Sequence, residues 1–283
     1  MPLQDKYSDP LGITRWVLLV VESVLIVLGV LLISFLFAPL GLGGGLLYVP
    51  LFHYLGGWSL DQKLIIVSLL LSAITSYGSG LEHRKKGYHD DKLIRIALRG
   101  AIPGALIGVL FVFATQNQFK SIFKLMSIII VGFVIFKMAK RITAVQSEDE
   151  TNSEIQILKM TSLSAFGGFL SSVMAIGAGM IYVPAMKFFG ALDSRKAIGS
   201  SLNIMMLVIP LAIFAHFILL ESYQLESLRN ELLLLIGLVL TTFIGAKSGA
   251  IIGFKLFSEP MLMKVFIGVL SITWLNYLID VLL

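Results

Sequence analysis

The chain has 283 residues, of which 57% are hydrophobic and only 14% charged, and its mean hydropathy is +0.91. A soluble domain needs more charge to cover its surface, and the apolar runs here are long enough for bilayer-spanning helices of about 20 residues. Cysteine is absent, which excludes disulfides and thiolate metal sites. The net charge of +5 does not indicate nucleic-acid binding, because the basic residues lie in short loops where they set membrane topology.

The apolar runs predict ten helical segments, five on each side of a polar linker. The first run is too long for the apolar part of a signal peptide and follows no basic stretch, so we expect a retained spanning helix. In the first half the segments are residues 14–40, a short one at 45–55, 63–81, 92–114 and 119–140. In the second half they are 160–176, a short one at 180–189, 195–220, 231–254 and 260–283.

The two halves resemble each other in sequence. Gly-Gly-Gly-Leu-Leu-Tyr-Val-Pro at 43–50 returns as Gly-Ala-Gly-Met-Ile-Tyr-Val-Pro at 177–184. Ser-Leu at 68–69 returns at 201–202, and the glycines at 104 and 108 return at 245 and 249. Three matches in the same order indicate an internal duplication.

Charge predicts how the two copies are oriented. The loop after the third segment carries Arg84, Lys85, Lys86 and Lys92 and is expected in the cytoplasm, whereas the matching second-half loop carries three glutamates and one arginine. Equivalent loops on opposite sides indicate inverted repeats, as in many secondary transporters. The predicted fold is an all-α membrane domain, with a first repeat at 1–140, a cytoplasmic linker at 141–159, a second repeat at 160–283 and both termini outside.

Glycine clusters interrupt the apolar sequence just before each short segment. Gly43, Gly44 and Gly45 precede the first, and Gly177 and Gly179 precede the second. Glycine lets the backbone leave helical geometry, and such backbone inside a bilayer must be buried in protein or line a wet cavity. The helix that restarts after each break presents unpaired N–H groups and the positive end of its dipole, which favour an anion. We therefore predict that the two helix N-termini meet near the bilayer midplane around a small anion.

The predicted site draws on both glycine motifs and on the third segment of each half. Its proposed substrate-binding residues are Gly43, Gly44, Gly45, Leu46, Tyr48, Pro50 and Ser68 in the first half, and Gly177, Gly179, Met180, Tyr182, Pro184, Ser201 and Asn203 in the second. The alternative is that the glycines only allow close helix packing. We favour packing for the glycine pairs at 104/108 and 245/249, and a site for the two Tyr-Val-Pro motifs, because packing explains neither the short segments nor the prolines.

The motifs at 41–50 and 177–184 resemble the paired signatures of the TauE/SafE family of sulfite-exporter-like permeases. The resemblance continues through Ala-Ile-Gly-Ser-Ser-Leu at 197–202 and through residues 245–278, and so covers nearly the whole chain. It implies a permease for sulfite, an organosulfonate or another small organic anion in the cytoplasmic membrane of a prokaryote, with the motif glycines and prolines, Ser68 and Ser201 at its site. The chain departs from the family pattern at Leu64, which replaces an alanine, and in its short linker, so the substrate stays open.

Few ionisable residues fall inside the predicted segments, and each is a functional candidate. Lys247 is a candidate for attracting the anion, with snorkelling to the membrane surface as the alternative. Glu22, His53 and His216 are candidates for proton coupling, although a single histidine more often has a structural role. We expect no cofactor and no metal. The expected partners are the small anion, the lipid bilayer and a coupling proton or sodium ion, with oligomerisation left open.

Two other classes of function compete with a carrier. An anion channel also uses inverted repeats and broken helices, and saturable counterflow would separate the two. An intramembrane enzyme needs converging Asp, Glu, His or Ser–Lys groups, which are scattered in this sequence. We expect no arginine near the site, which favours a monovalent or weakly held anion over phosphate.

Overall fold

The computed structural model of this protein describes residues 13–41, 43–143, 154–256 and 258–282, and their regular structure is helical. The long helices are α1 (Ile13–Phe37), α3 (Gln62–Lys85), α4 (Asp91–Ala114), α5 (Phe119–Thr143), α6 (Ile157–Met174), α8 (Ser194–Ile218), α10 (Leu232–Leu256) and α11 (Glu259–Leu282). The short helices are α2 (Gly45–Pro50), α7 (Gly179–Pro184) and α9 (Ser222–Asn230). Single π-helical turns follow α2 at Leu51–Leu55 and α7 at Ala185–Phe189.

These helices confirm the predicted all-α, multi-pass membrane architecture. Within the described residues, seven helices are long and apolar enough to cross a bilayer, namely α3, α4, α5, α6, α8, α10 and α11. α1 is 25 residues long and forms the first predicted segment. Helix α9 was not predicted, because its sequence reads as an acidic loop. It forms because Glu221 and Gln224 build a capping box at its start.

Proline explains why the two short helices end alike. Pro50 and Pro184 are their last residues, and proline has no N–H to donate to the carbonyl one turn earlier. The chain then widens into a π turn, in which Gly190 N–H donates to the Ala185 carbonyl at 3.1 Å. At about 1.5 Å per residue, α2 with its π turn is about 16 Å long, roughly half of the hydrocarbon core.

The equivalent helices α3 and α8 cross antiparallel in the middle of the bundle. Gln62, at the start of α3, donates to the backbone carbonyl of His216 near the end of α8 at 3.0 Å. Arg84, at the end of α3, donates to Asn203 near the start of α8 at 2.8 Å. α3 is largely buried and α8 is about half buried, so this pair lies at the core of the protein.

Glycines form two close seams between the halves. α4 lies parallel to α6, where a Cβ on Gly104 would collide with the Ala165 carbonyl oxygen. α1 lies parallel to α10, where a Cβ on Gly249 would collide with the Phe35 carbonyl oxygen. A Cβ on Gly100, Gly108 or Gly245 would meet the neighbouring helix in the same way. The packing interpretation of the glycines at 104/108 and 245/249 is therefore confirmed.

α5 and α11 form an antiparallel pair at the edge of the bundle. Lys124 of α5 pairs with Asp280 of α11 at 2.6 Å. α5 continues to Thr143, beyond the predicted end of the first repeat at 140. Most of the predicted linker at 141–159, and the N-terminal residues 1–12, lie outside the described residues.

Candidate functional site

The two glycine breaks meet beside the middle of α3. A Cβ on Gly177 would lie 3.8 Å from the Cα of Gly43. A Cβ on Gly45 would collide with the carbonyl oxygen of Ala175 and would lie 2.5 Å from Oγ of Ser72. The structure thus brings the start of α2 into contact with the break before α7, which comes from the opposite half of the chain.

Left-handed backbone makes the two breaks. Gly43, Gly44 and Gly177 have φ angles of 73°, 69° and 68°, which glycine adopts without steric cost. In the second break Ala175 and Ala178 both have φ of 56°, which costs an alanine about 1–2 kcal/mol each. Sequence reasoning missed both alanines, because alanine gives no signal for this conformation. Strain of this kind is typical of functional sites.

The first residues of α2 and α7 carry the backbone donors of the predicted site. The N–H groups of Leu47 and Ile181 bond back to the carbonyls of Gly44 and Ala178, at 3.0 and 2.9 Å. Among the described residues, the two N–H groups before them in each helix donate to no backbone carbonyl. These belong to Gly45 and Leu46 in α2 and to Gly179 and Met180 in α7. Pro50 is buried and Pro184 half-buried, and each is the last residue of its short helix.

Buried serines lie on the helix faces that touch the breaks. Ser68 and Ser201 are fully buried, and neither hydroxyl has a hydrogen-bond partner within the described residues. Ser68 lies one turn from Ser72, which contacts Gly45, and Ser201 lies one turn from Met205. The Cε of Met205 lies 3.0 Å from the Cβ position of Gly43. A buried hydroxyl without a partner costs about 1–3 kcal/mol, which a bound anion could recover.

The tyrosines of the two motifs are both buried but differ in their contacts. The hydroxyl of Tyr48 lies 2.9 Å from that of Thr75. The hydroxyl of Tyr182 has no partner in the described part of the chain. When Ser68 is aligned with Ser201, Thr75 is matched by Val208, so the second half lacks this partner. Tyr182 therefore adds a third buried hydroxyl that is free to donate.

Comparison with known proteins decides the family. The family model for the sulfite exporter TauE/SafE proteins matches residues 25–277, a range that includes both breaks and both serine-bearing helices. The chain belongs to the TauE/SafE family. The resemblance found in the two motifs is thus confirmed.

Two curated proteins of Xylella fastidiosa are similar to this TauE/SafE chain, and both are described as a probable membrane transporter protein. They come from strains Temecula1 and 9a5c, and each is 26% identical over 176 residues. The match spans 60% of this chain and 65% of the length of the curated relatives, which is less than two thirds of them. No solved structure matches the chain.

An arginine adjoins the predicted site of this TauE/SafE protein. Nη1 of Arg84 donates to Oδ1 of Asn203 at 2.8 Å, and its Nη2 lies 3.4 Å from Asp91. Asn203 is buried and donates through Nδ2 to the Gly199 carbonyl at 2.7 Å, which fixes the orientation of its amide. The expectation that no arginine lies near the site is wrong, because the antiparallel crossing of α3 and α8 brings together residues that are far apart in sequence.

His216 lies at the opposite end of the α3–α8 pair, beside Gln62. Its Nδ1 lies 3.3 Å from Nε2 of Gln62, and its Nε2 lies 3.1 Å from the Ser172 carbonyl. These partners require an acceptor at Nδ1 and a donor at Nε2, which is the neutral tautomer of the ring. Beside it, Lys63 pairs with Glu231 at 3.1 Å. In the predicted topology this end faces outside.

The remaining ionisable candidates of the TauE/SafE chain lie away from the breaks. His53, in the π turn after α2, has its Nδ1 2.7 Å from the Trp58 carbonyl and its Nε2 3.7 Å from Asp280. Glu22 lies in the first half of α1, several turns before the break. Lys247 has an exposed side chain on the surface of α10. The structure brings His53 to a carboxylate but brings neither Glu22 nor Lys247 to the breaks.

Proposed function

We propose that this protein is a secondary transporter that moves a small anion across the cytoplasmic membrane by alternating access. The observation that carries the proposal is the contact of the two broken helices beside buried hydroxyls that have no partner among the described residues. Helix N-termini and hydroxyls can hold an anion without a fixed positive charge that would retain it. The description of the relatives as probable membrane transporter proteins supports transport rather than catalysis.

The directions of the helices support inverted repeats. The equivalent helices α3 and α8 cross antiparallel, whereas α1 runs parallel to α10 and α4 runs parallel to α6. Two repeats of five segments in opposite orientations require these directions. In this arrangement the basic loop after α3 faces the cytoplasm, and the glutamates around α9 face outside.

Alternating access is favoured because an anion has no room while the breaks touch. A methyl group on Gly45 would overlap the carbonyl oxygen of Ala175, and a methyl group on Gly177 would be in van der Waals contact with Gly43. The anion can therefore bind only when the helices around the breaks separate. Such a movement is typical of a carrier rather than of a permanently open pore.

The substrates we propose are sulfite, an organosulfonate or a small organic acid, and the sulfite exporter family supports the first of these. We propose coupling to a proton, with sodium as the alternative. His53 is the strongest candidate to carry the proton, because its side chain is 15% exposed and its Nε2 faces Asp280. His216 is less suited, because both of its ring nitrogens already have partners.

Uptake of radiolabelled sulfite into proteoliposomes tests the proposal. Unlabelled sulfonates and carboxylates serve as competitors, and each assay is run with and without a pH gradient. We expect saturable uptake that sulfite competes and that shows counterflow. Linear uptake without counterflow would indicate a channel. If the folded protein takes up neither sulfite nor any of the competitors when these are labelled in turn, the carrier proposal is contradicted.

A further inference from the structure

A second polar region lies at the cytoplasmic end of α3. A cavity of about 400 Å³ opens there between α3, α4 and α8. Its lining includes Tyr77, Arg84, Asp91, Arg95 and Asn203, with apolar side chains between them. Two arginines and one carboxylate thus line a cleft with apolar walls. Such a cleft has a positive potential that attracts anions.

The guanidinium of Arg84 is held in this cavity mainly by a neutral partner. Its bond to Oδ1 of Asn203 is short, at 2.8 Å, and Asn203 is only 4% exposed. Its contact with Asp91 is longer, at 3.4 Å, and joins side chains that are 48% and 54% exposed. Exposed ion pairs contribute about 1 kcal/mol at most. Arg84 is therefore oriented by Asn203 while most of its five N–H groups stay available for an anion.

The cavity and the glycine breaks are both contacted by the same part of α8. Tyr77 donates to the Met206 carbonyl at 2.8 Å, and both residues line the cavity. The residue before Met206 is Met205, whose side chain contacts Gly43. Adjacent residues of α8 thus contact the cavity and a glycine break.

Arg84 and its partner also break the internal duplication. In the register of the duplicated serines, Arg84 is matched by Phe217 and Asn203 is matched by Leu70. If the packing of α3 against α8 required an arginine–asparagine bond, we would expect such a bond at both ends of the crossing. The Arg84–Asn203 bond occurs only at the cytoplasmic end, so we assign it a function on that side of the membrane.

We propose that Arg84, oriented by Asn203, binds the transported anion at the cytoplasmic mouth before the anion reaches the breaks. The proposal rests on the anion transport proposed above. The planar guanidinium matches two oxygens of a sulfite, sulfonate or carboxylate group. The incoming anion replaces Asp91 at Nη2, and the bond from Nη1 to Asn203 stays in place.

Anion-dependent thermal stability of the purified full chain tests this site without requiring transport. Sulfite and methanesulfonate are titrated at constant ionic strength into the wild type, Arg84→Gln, Arg84→Lys and Lys85→Gln. Lys85 is the matched control, because it is the next residue, lies outside the cavity lining and pairs with Glu82 at 2.9 Å. We expect the half-saturating sulfite concentration to rise about tenfold or more in Arg84→Gln, to rise less in Arg84→Lys and to stay unchanged in Lys85→Gln. Absence of stabilisation in the wild type, or equal half-saturation in the wild type and Arg84→Gln, would overturn the proposal.

Sulfite uptake separates this proposal from the proposed function. Transport by the wild type with an unchanged KM in Arg84→Gln would support the carrier and remove Arg84 from its path. Stabilisation by sulfite that is lost in Arg84→Gln, without transport by the wild type, would support the anion site and overturn the carrier.

Discussion

Gly43 and Gly177 face each other in the middle of the protein, where a Cβ on Gly177 would lie 3.8 Å from the Cα of Gly43. They belong to opposite halves of the chain, and each lies just before a short helix. Both have positive φ angles, so a substitution at either position would strain its own break. A substitution of either glycine would affect both folding and anion binding. Variants of the hydroxyl groups around the breaks therefore test the site more directly.

Replacing Ser68 and Ser201 together by alanine should weaken anion binding and leave the fold intact. Neither hydroxyl has a partner within the described residues, so its loss removes no internal hydrogen bond. We expect the KM for sulfite uptake to rise about tenfold with an unchanged or higher melting temperature. Ser79→Ala is the matched control, because Ser79 is buried and donates to the Ala38 carbonyl at 2.8 Å. It should lose about 0.6 kcal/mol of stability and keep its KM. Equal losses of stability in both variants would contradict the prediction.

The two motif tyrosines should respond differently to phenylalanine. Tyr48→Phe removes the contact with Thr75 and should destabilise the protein by about 1 kcal/mol. Tyr182→Phe removes no such contact within the described residues and should leave the melting temperature unchanged while raising the KM for sulfite. Thermal unfolding in detergent and uptake in proteoliposomes measure the two effects. A Tyr182→Phe protein with normal stability and normal KM would remove this hydroxyl from the site.

Alanine should be tolerated at one helical glycine and not at another. Gly104→Ala places a methyl group against the Ala165 carbonyl and should cost about 1–3 kcal/mol, because the α4–α6 seam must open. Gly237→Ala meets nothing within 4 Å and should be neutral or stabilise α10 by up to about 1 kcal/mol. Thermal unfolding compares the two variants. Similar melting temperatures would mean that the seam is looser than the contacts indicate.

Replacing His53 or His216 by glutamine should separate a role in proton coupling from a role in stability. His53→Gln is expected to abolish the response of sulfite uptake to a pH gradient and to retain sulfite exchange, because only the proton carrier is lost. His216→Gln should keep the pH response and lose about 1 kcal/mol of stability, because it disturbs the bonds to Gln62 and Ser172. If the pH response were lost in His216→Gln and kept in His53→Gln, the assignment of the proton carrier would be reversed.

Features that depend on neighbouring residues could be predicted from the sequence. Apolar runs located every spanning helix, and the glycine clusters before Tyr48 and Tyr182 located both helix breaks. The glycine spacings at 104/108 and 245/249 predicted close helix packing, because a small residue every fourth position forms one flat helix face.

Features that depend on the crossing of distant helices could not be predicted. The contact of Arg84 with Asn203 arises only where α3 meets α8, so a sequence scan places no arginine near the site. The strain at Ala178 has no residue signature, since alanine normally favours the right-handed helix. Likewise, the motifs predicted two equivalent tyrosines, and only the structure shows that Thr75 distinguishes them.

The glycine seams determine which parts of this protein can move as units. The contact of Gly249 with Phe35 holds α10 of the second copy against α1 of the first. The contact of Gly104 with Ala165 holds α4 of the first copy against α6 of the second. Helices that pack backbone to backbone have few side chains between them to rearrange, so each pair should travel as one rigid body. In the alternating access proposed above, each moving body therefore contains helices of both halves, and the hinge between the bodies runs within each half rather than along the linker.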